Sequence, residues 1–265
     1  MKIAFVGKGG SGKSSISWLI IKALEQTNKN VLAIDADHNM DLTSNLGCDP
    51  EETPLMHKTD KEFMELSGLS CCDDEHHEHT HKLPSFSVAP MDPYTTSISA
   101  KLSPNLSLIN IGLGSPEILF QSKCSHGLSG PLKYYLGLLD EKEAYVIIDS
   151  VAGADMLNYG LYAGIDAVIG VVEPHRNSVK VFEQIYSICK KTMIPCYAVI
   201  NKPLDNEFYH TFKKDNHHLI LGEISFDQAI LDYSYDDVSP STKEEALGII
   251  KKITTLSRRG NLSTL

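Results

Sequence analysis

Apolar and β-branched residues gather in short runs separated by longer stretches of helical spacing. The runs Lys2-Ile3-Ala4-Phe5-Val6, Val31-Leu32-Ala33-Ile34, Leu106–Ile111, Tyr145-Val146-Ile147-Ile148, Ala167–Val172 and Cys196–Ile200 read as strands covered on both faces. Between them lie helical stripes: Ile16, Leu19, Ile20, Ala23 and Leu24; then Leu132, Tyr135, Leu136 and Leu139; then Val179, Val181, Phe182, Ile185, Ile188 and Cys189. Such alternation predicts an α/β fold with a doubly wound, mainly parallel sheet, helices on both faces and ligands at the carboxyl ends of the strands. The stretch at about 49–92 breaks the pattern. It is polar and punctuated by proline, and reads as a partly mobile insertion over the active face. With 265 residues and 42% hydrophobic content, the chain can bury a large core, so the expectation is one domain over 1–265 carrying that insertion.

The first strand runs straight into Gly7-Lys8-Gly9-Gly10-Ser11-Gly12-Lys13-Ser14-Ser15 and then into the first helical stripe. This is the setting of a phosphate-binding P-loop. Its glycines let backbone N–H groups turn toward phosphate oxygens, Lys13 adds a cation at the β- and γ-phosphates, and Ser14 offers a hydroxyl to Mg²⁺. The helix that follows points its positive end at the same anion. A second lysine, Lys8, stands at the first variable position of the loop. Gly-Lys-Gly-Gly-X-Gly-Lys-Ser resembles the deviant Walker A motif of the MinD/ParA/nitrogenase iron protein group of P-loop ATPases. That resemblance implies ATP hydrolysis by a homodimer in which Lys8 reaches the nucleotide of the other subunit. Lys8, Lys13 and Asp37 are then the catalytic set.

Ile34-Asp35-Ala36-Asp37-His38-Asn39-Met40-Asp41 ends the second strand with three acids within seven residues. The resemblance assigns Asp37 to the switch I position that orients or deprotonates the attacking water near Mg²⁺; the group usually has proline where this chain has His38. Asp35 reads as an ordinary strand-end residue, and Asp41 as an assistant at the metal through water. Tyr145-Val146-Ile147-Ile148-Asp149 has the Walker B form, an apolar strand ending in one carboxylate that holds Mg²⁺ through water, and Ser150-Val151-Ala152-Gly153 reads as a flexible switch II loop. Val199-Ile200-Asn201-Lys202-Pro203 resembles the element that brackets the nucleobase in P-loop families. A guanine site would want Asp at position 204, where this chain has Leu204, so adenine is favoured; Asp205, one position late, keeps GTP as a minor alternative.

Cys124-Ser125-His126 carries a thiol and an imidazole two residues apart, able to point the same way from an extended backbone. Two such pairs across a two-fold axis would make a Cys₂His₂ site suited to Zn²⁺ and able to accept Ni²⁺. Asp149 through Val-Ala-Gly, Gly164–Val168 and Val171-Val172-Glu173-Pro174-His175-Arg176-Asn177-Ser178 closely resemble the CooC family, ATPases that mature nickel-containing carbon monoxide dehydrogenase. In that family a Cys-X-Cys upstream of Walker B binds metal between subunits; this chain matches the first cysteine as Cys124 and has His126 at the second. The resemblance implies metal delivery, nickel by expectation, into a client metalloenzyme such as carbon monoxide dehydrogenase. Cys71-Cys72-Asp73-Asp74-Glu75-His76-His77-Glu78-His79-Thr80-His81 packs further soft and borderline ligands into the insertion, as an adaptable store or hand-off site.

Charge and hydropathy narrow the alternatives. A net charge of −10 argues against nucleic acid as a partner, which would need a basic face. No run approaches a membrane span and the N-terminus enters a strand at once, so the expectation is a cytoplasmic protein without stable membrane insertion. Six cysteines in this setting read as buried thiols or metal ligands and not a disulfide framework. Two rivals stand beside metal delivery: a MinD- or ParA-type spatial regulator, whose membrane form would use a basic tail around Ile249–Arg259, and an iron–sulfur carrier. The carrier lacks a cluster cysteine after the switch II loop, and the tail helix is expected to pack on the sheet.

Overall fold

A computed structural model describes residues 1–67, 85–112, 130–154 and 164–260. Ten strands are present among them: β1 (Lys2–Gly7), β2 (Asn30–Ala36), β3 (Phe86–Ser87), β4 (Ser99–Ser103), β5 (Leu106–Asn110), β6 (Leu139–Asp140), β7 (Ala144–Ser150), β8 (Ala167–Val172), β9 (Cys196–Asn201) and β10 (Ile220–Ile224). The helices are α1 (Lys13–Gln26), α2 (Asp41–Asn45), α3 (Asp60–Ser67), α4 (Pro93–Ser97), α5 (Gly130–Leu138), α6 (Arg176–Thr192), α7 (Glu207–Asp215), α8 (Gln228–Leu231) and α9 (Pro240–Gly260).

Eight strands form one sheet in the order β10-β9-β8-β1-β7-β2-β5-β4. Every pairing is parallel except β4 with β5. The order runs outward in both directions from β1, which puts the P-loop at the crossover point where a doubly wound sheet opens a crevice. Alternation along β1 divides the core: Ile3 and Phe5 pack with α1 and α9 on one face, while Ala4 and Val6 pack with α5 and α6 on the other. The tail helix α9 lies against β10 and α1, as its apolar stripe suggests.

Two features depart from the hydrophobic pattern. The sheet gains an antiparallel strand, β4, at one edge and a parallel strand, β10, at the other; each is only partly buried, so neither shows a continuous apolar run. The described flanks of the 49–92 segment are also less peripheral than their polarity implies. Met56, Phe63, Phe86 and Val88 are buried, and Phe63, Phe86, Tyr94 and Tyr135 form an aromatic cluster with ring centroids 5.1–6.2 Å apart. A bridge between Leu55 and Asn110 ties this segment to β5. Its Cys- and His-rich centre, Cys71–His81, lies outside the described residues, as do Cys124 and His126.

Candidate functional site: a P-loop, two buried carboxylates and a base-side cavity

The loop joining β1 to α1 closes on itself with Ser11 N–H donating to Lys8 O at 3.0 Å. Gly12 precedes the helix at φ 87°, and a Cβ there would overlap the Asn201 side-chain amide, so the position tolerates only glycine. At Gly7 a Cβ would stand 2.6 Å from Val171 O, which lets β1 and β8 approach closely where the loop begins. Lys13 is buried in the first turn of α1. Lys8 is half-exposed, its Nζ 3.1 Å from Gly9 O, and among the described residues it makes no ion pair. A cation held by a loop carbonyl and not by a carboxylate is free to turn toward an anion.

Beside the loop, Asp149 at the end of β7 is fully buried. Its Oδ1 accepts from Ser17 Oγ at 3.2 Å, while Oδ2 is buried with no hydrogen-bond partner. Burial pushes the carboxyl up to about 7 and neighbouring Asp35 pushes the same way, against the Ser14 hydroxyl, the Lys13 cation and Ser17. An orphaned carboxylate oxygen beside a P-loop serine and lysine fits a divalent cation whose charge offsets this burial. No group of three or more His, Cys, Asp or Glu converges among the described residues, so such a cation would depend on Ser14, water and phosphate oxygens as well.

Asp35 is more than a strand end. It faces Asp149 across the β2–β7 register and is likewise fully buried. Its Oδ2 accepts from both Thr43 N and Thr43 Oγ1 at 2.8 Å, and its Oδ1 accepts from Asp37 N at 3.3 Å. Burial raises it to about 6 despite those bonds. Asp35 thereby pins α2 to the sheet and fixes the turn that carries Asp37. Asp37 is half-exposed at the sheet's carboxyl edge and accepts from Asn39 N at 3.1 Å. His38 Nδ1 is buried without a partner in the same turn.

The residues that end and follow β7 are anchored where they are described. Ser150 Oγ donates to Phe5 O at 2.7 Å, and Gly153 N donates to Gly7 O at 2.8 Å. On the other side of the loop, Asn201 Nδ2 donates to Ser11 O at 2.8 Å, so this side chain braces the P-loop as well as lining a cavity. That cavity is bounded by Gly12, Ser15, Asn201, Lys202, Phe226 and Leu231, with Ser225, Asp227 and Ile230 completing it. Lys202, at φ 52°, pairs with Glu173 at 3.4 Å. Phe226, Ile230 and Leu231 give the cavity an apolar wall to which no sequence motif points. Phe226 is 60% exposed, with an aromatic face available for a flat ring to stack on.

The raised carboxyls make stability depend on pH. Between about pH 4 and 7, metal-free native protein retains a proton on Asp149 that the unfolded chain has lost, so stability falls as pH rises through that window and levels off above it. Asp149→Asn is therefore expected to be more stable than wild type at pH 8 without metal, by on the order of 3 kcal/mol, with the gap closing toward pH 4. Denaturant unfolding of both proteins in chelator at pH 8 and pH 5 measures this. Equal stability at pH 8 would mean that the buried charge is compensated by another group.

A family model described as "CobQ/CobB/MinD/ParA nucleotide binding domain" matches residues 3–239. An uncharacterized ATP-binding protein from Methanocaldococcus jannaschii is 30% identical over 252 residues, covering 92% of this chain and 89% of that one. The carbon monoxide dehydrogenase accessory protein CooC of Rhodospirillum rubrum is 27% identical over 260 residues, 93% of each chain. Among solved structures, a plasmid partition protein from Borrelia burgdorferi B31 bound to AMPPNP superposes with a TM-score of 0.67 at 21% identity, covering 96% of this chain and 98% of that one. This last likeness concerns the fold.

Proposed function

The chain belongs to the CobQ/CobB/MinD/ParA nucleotide-binding family and is an ATP-binding ATPase of the MinD/ParA type; from that premise we propose that it couples ATP turnover to the delivery of a metal, nickel, into a client metalloenzyme such as carbon monoxide dehydrogenase. The observation that carries the delivery reading is the full-length similarity to CooC together with Cys124-Ser125-His126 upstream of the β7 carboxylate. In this reading the Ser14 hydroxyl and Asp149 would hold Mg²⁺, through water in the case of Asp149, with Asp37 close by. Bound there, it would neutralise charge on the phosphates. Lys13 binds the β- and γ-phosphates, Asn201, Lys202 and Pro203 flank the adenine, and Asp37 orients the attacking water or takes its proton. Lys8 acts on the γ-phosphate of a second copy of the chain. ATP thus closes a homodimer, and closure alters the ligand set supplied by two Cys124 and two His126.

The metal arm has a direct test. One tight Ni²⁺ or Zn²⁺ per dimer is expected, with affinity that differs between ADP-bound and ATP-bound protein, because linkage requires nucleotide and metal to change each other's affinity by one factor. Cys124→Ser is expected to abolish that tight site, since a hydroxyl does not replace a thiolate, while weaker binding by His76–His81 survives. Metal content of untagged protein and titrations in each nucleotide state provide the measurement. Unchanged metal affinity across nucleotide states, or one tight metal per monomer insensitive to Cys124→Ser, would favour the alternative, a spatial-regulator ATPase. Among the described residues no helix is long and apolar enough to cross a membrane.

A further inference from the structure

One wall of the base-side cavity is a strap, residues 225–239, that contains α8 and leads into α9. It is stitched at both ends. Asp227 caps α8 by accepting from Ala229 N at 3.0 Å and from Ser239 N at 2.9 Å, twelve residues further on. Ser225 donates through its N and its Oγ to the Glu245 carboxylate at 3.0 and 2.9 Å. Ile230 and Val238 are buried against the α1 side of the core. At the bend after α8, Tyr233 occupies the left-handed region at φ 50°, uncommon for a bulky aromatic.

Two contacts hold Tyr233 in that conformation. Its ring stands edge-on to Trp18 of α1, with centroids 5.4 Å apart at 83°. Its hydroxyl lies 3.4 Å from Ser15 Oγ. Ser15 lines the base-side cavity with Gly12, Asn201 and Phe226, whereas Ser14 lies beside the Asp149 carboxyl. Ser15 therefore addresses the base-proximal part of a nucleotide, the part ATP and ADP share. A phenol hydroxyl can donate to Ser15 Oγ, which leaves the serine O–H to donate to a ligand oxygen.

We propose that Tyr233 is a positioning residue for nucleotide binding: its hydroxyl sets the Ser15 side chain toward the bound nucleotide and ties the strap carrying Phe226 and Leu231 to the P-loop helix. The inference rests on the ATP-site reading. Tyr233→Phe removes the hydroxyl and keeps the ring on Trp18. Tyr235 offers the control, because its ring also meets Trp18, at 6.2 Å, and among the described residues its hydroxyl makes no hydrogen bond to Ser15.

Calorimetric titration of ADP and a non-hydrolysable ATP analogue into wild type, Tyr233→Phe and Tyr235→Phe tests this, together with steady-state ATPase kinetics and thermal melts. Tyr233→Phe should weaken both nucleotides alike, by about fivefold, the loss of one ordinary hydrogen bond. Its KM for ATP should rise in step, with kcat within about twofold of wild type and a melting temperature without nucleotide lowered by no more than one ordinary hydrogen bond accounts for. Tyr235→Phe should match wild type throughout. ADP affinity in Tyr233→Phe equal to wild type overturns the proposal, as does a loss that both variants share in proportion to lost stability. Wild-type protein that takes up neither nucleotide overturns the ATP site itself.

Discussion

Lys13→Ala protein is expected to bind no ATP at concentrations that saturate wild type, while Lys8→Ala protein binds it and turns it over roughly 10²-fold or more slowly. The difference follows from where the two cations sit. Lys13 is buried in the first turn of α1, inside the cradle and beside Asp149, so its removal leaves the phosphates facing a buried acid. Lys8 is half-exposed and held by a loop carbonyl, an arrangement compatible with service to a neighbouring subunit. Equilibrium binding of a labelled ATP analogue and steady-state hydrolysis separate the two effects. Mixing Lys8→Ala with Asp37→Asn protein adds a sharper test: if Lys8 acts in trans, mixed dimers regain one competent site. Equal loss of ATP affinity in both lysine variants would place Lys8 in the cradle alone.

Asp37→Asn is expected to keep ATP bound and to slow hydrolysis by about 10²- to 10⁴-fold, the range for loss of a positioned general base. The turn that presents residue 37 is fixed by Asp35, through Thr43 and the Asp37 N–H, so an asparagine should leave the local backbone in place. Its accumulated ATP state should elute as a dimer in the presence of ATP, and wild type, which hydrolyses the nucleotide, should show less of that dimer. Wild-type turnover in the variant removes Asp37 from the chemistry. Asp35→Asn serves as a contrast: it keeps an acceptor for Thr43, and because burial raises the Asp35 carboxyl as it raises that of Asp149, removing its charge should not cost stability at pH 8, so any loss should fall on rate through the turn that carries Asp37.

The P-loop and the Asp149 strand were legible because their chemistry is local. Nine consecutive residues define the loop, and one apolar run ending in a carboxylate defines the strand. The part played by Asp35 was not, since its partner Thr43 lies eight residues on and Asp149 arrives from a strand more than a hundred residues away. The aromatic cluster under the 49–92 segment was hidden for the same reason: Met56 and Phe63 sit among charged residues, and their ring neighbours Phe86, Tyr94 and Tyr135 come from three other elements. β10 carries Gly222 and Glu223 and buries only Leu221 and Ile224, too weak a pattern over five residues to announce a strand. With β10 unseen, the strap after it and the cavity wall it builds could not be placed either.

Trp18 is the chain's single tryptophan, fully enclosed three residues beyond Ser15 and flanked by the rings of Tyr233 and Tyr235. All indole emission therefore originates at one point on the phosphate-loop helix, and both tyrosines lie well within energy-transfer range of it. The protein carries its own optical probe of whether the strap and the loop stay together through the nucleotide cycle, readable without a dye, a tag or an added residue.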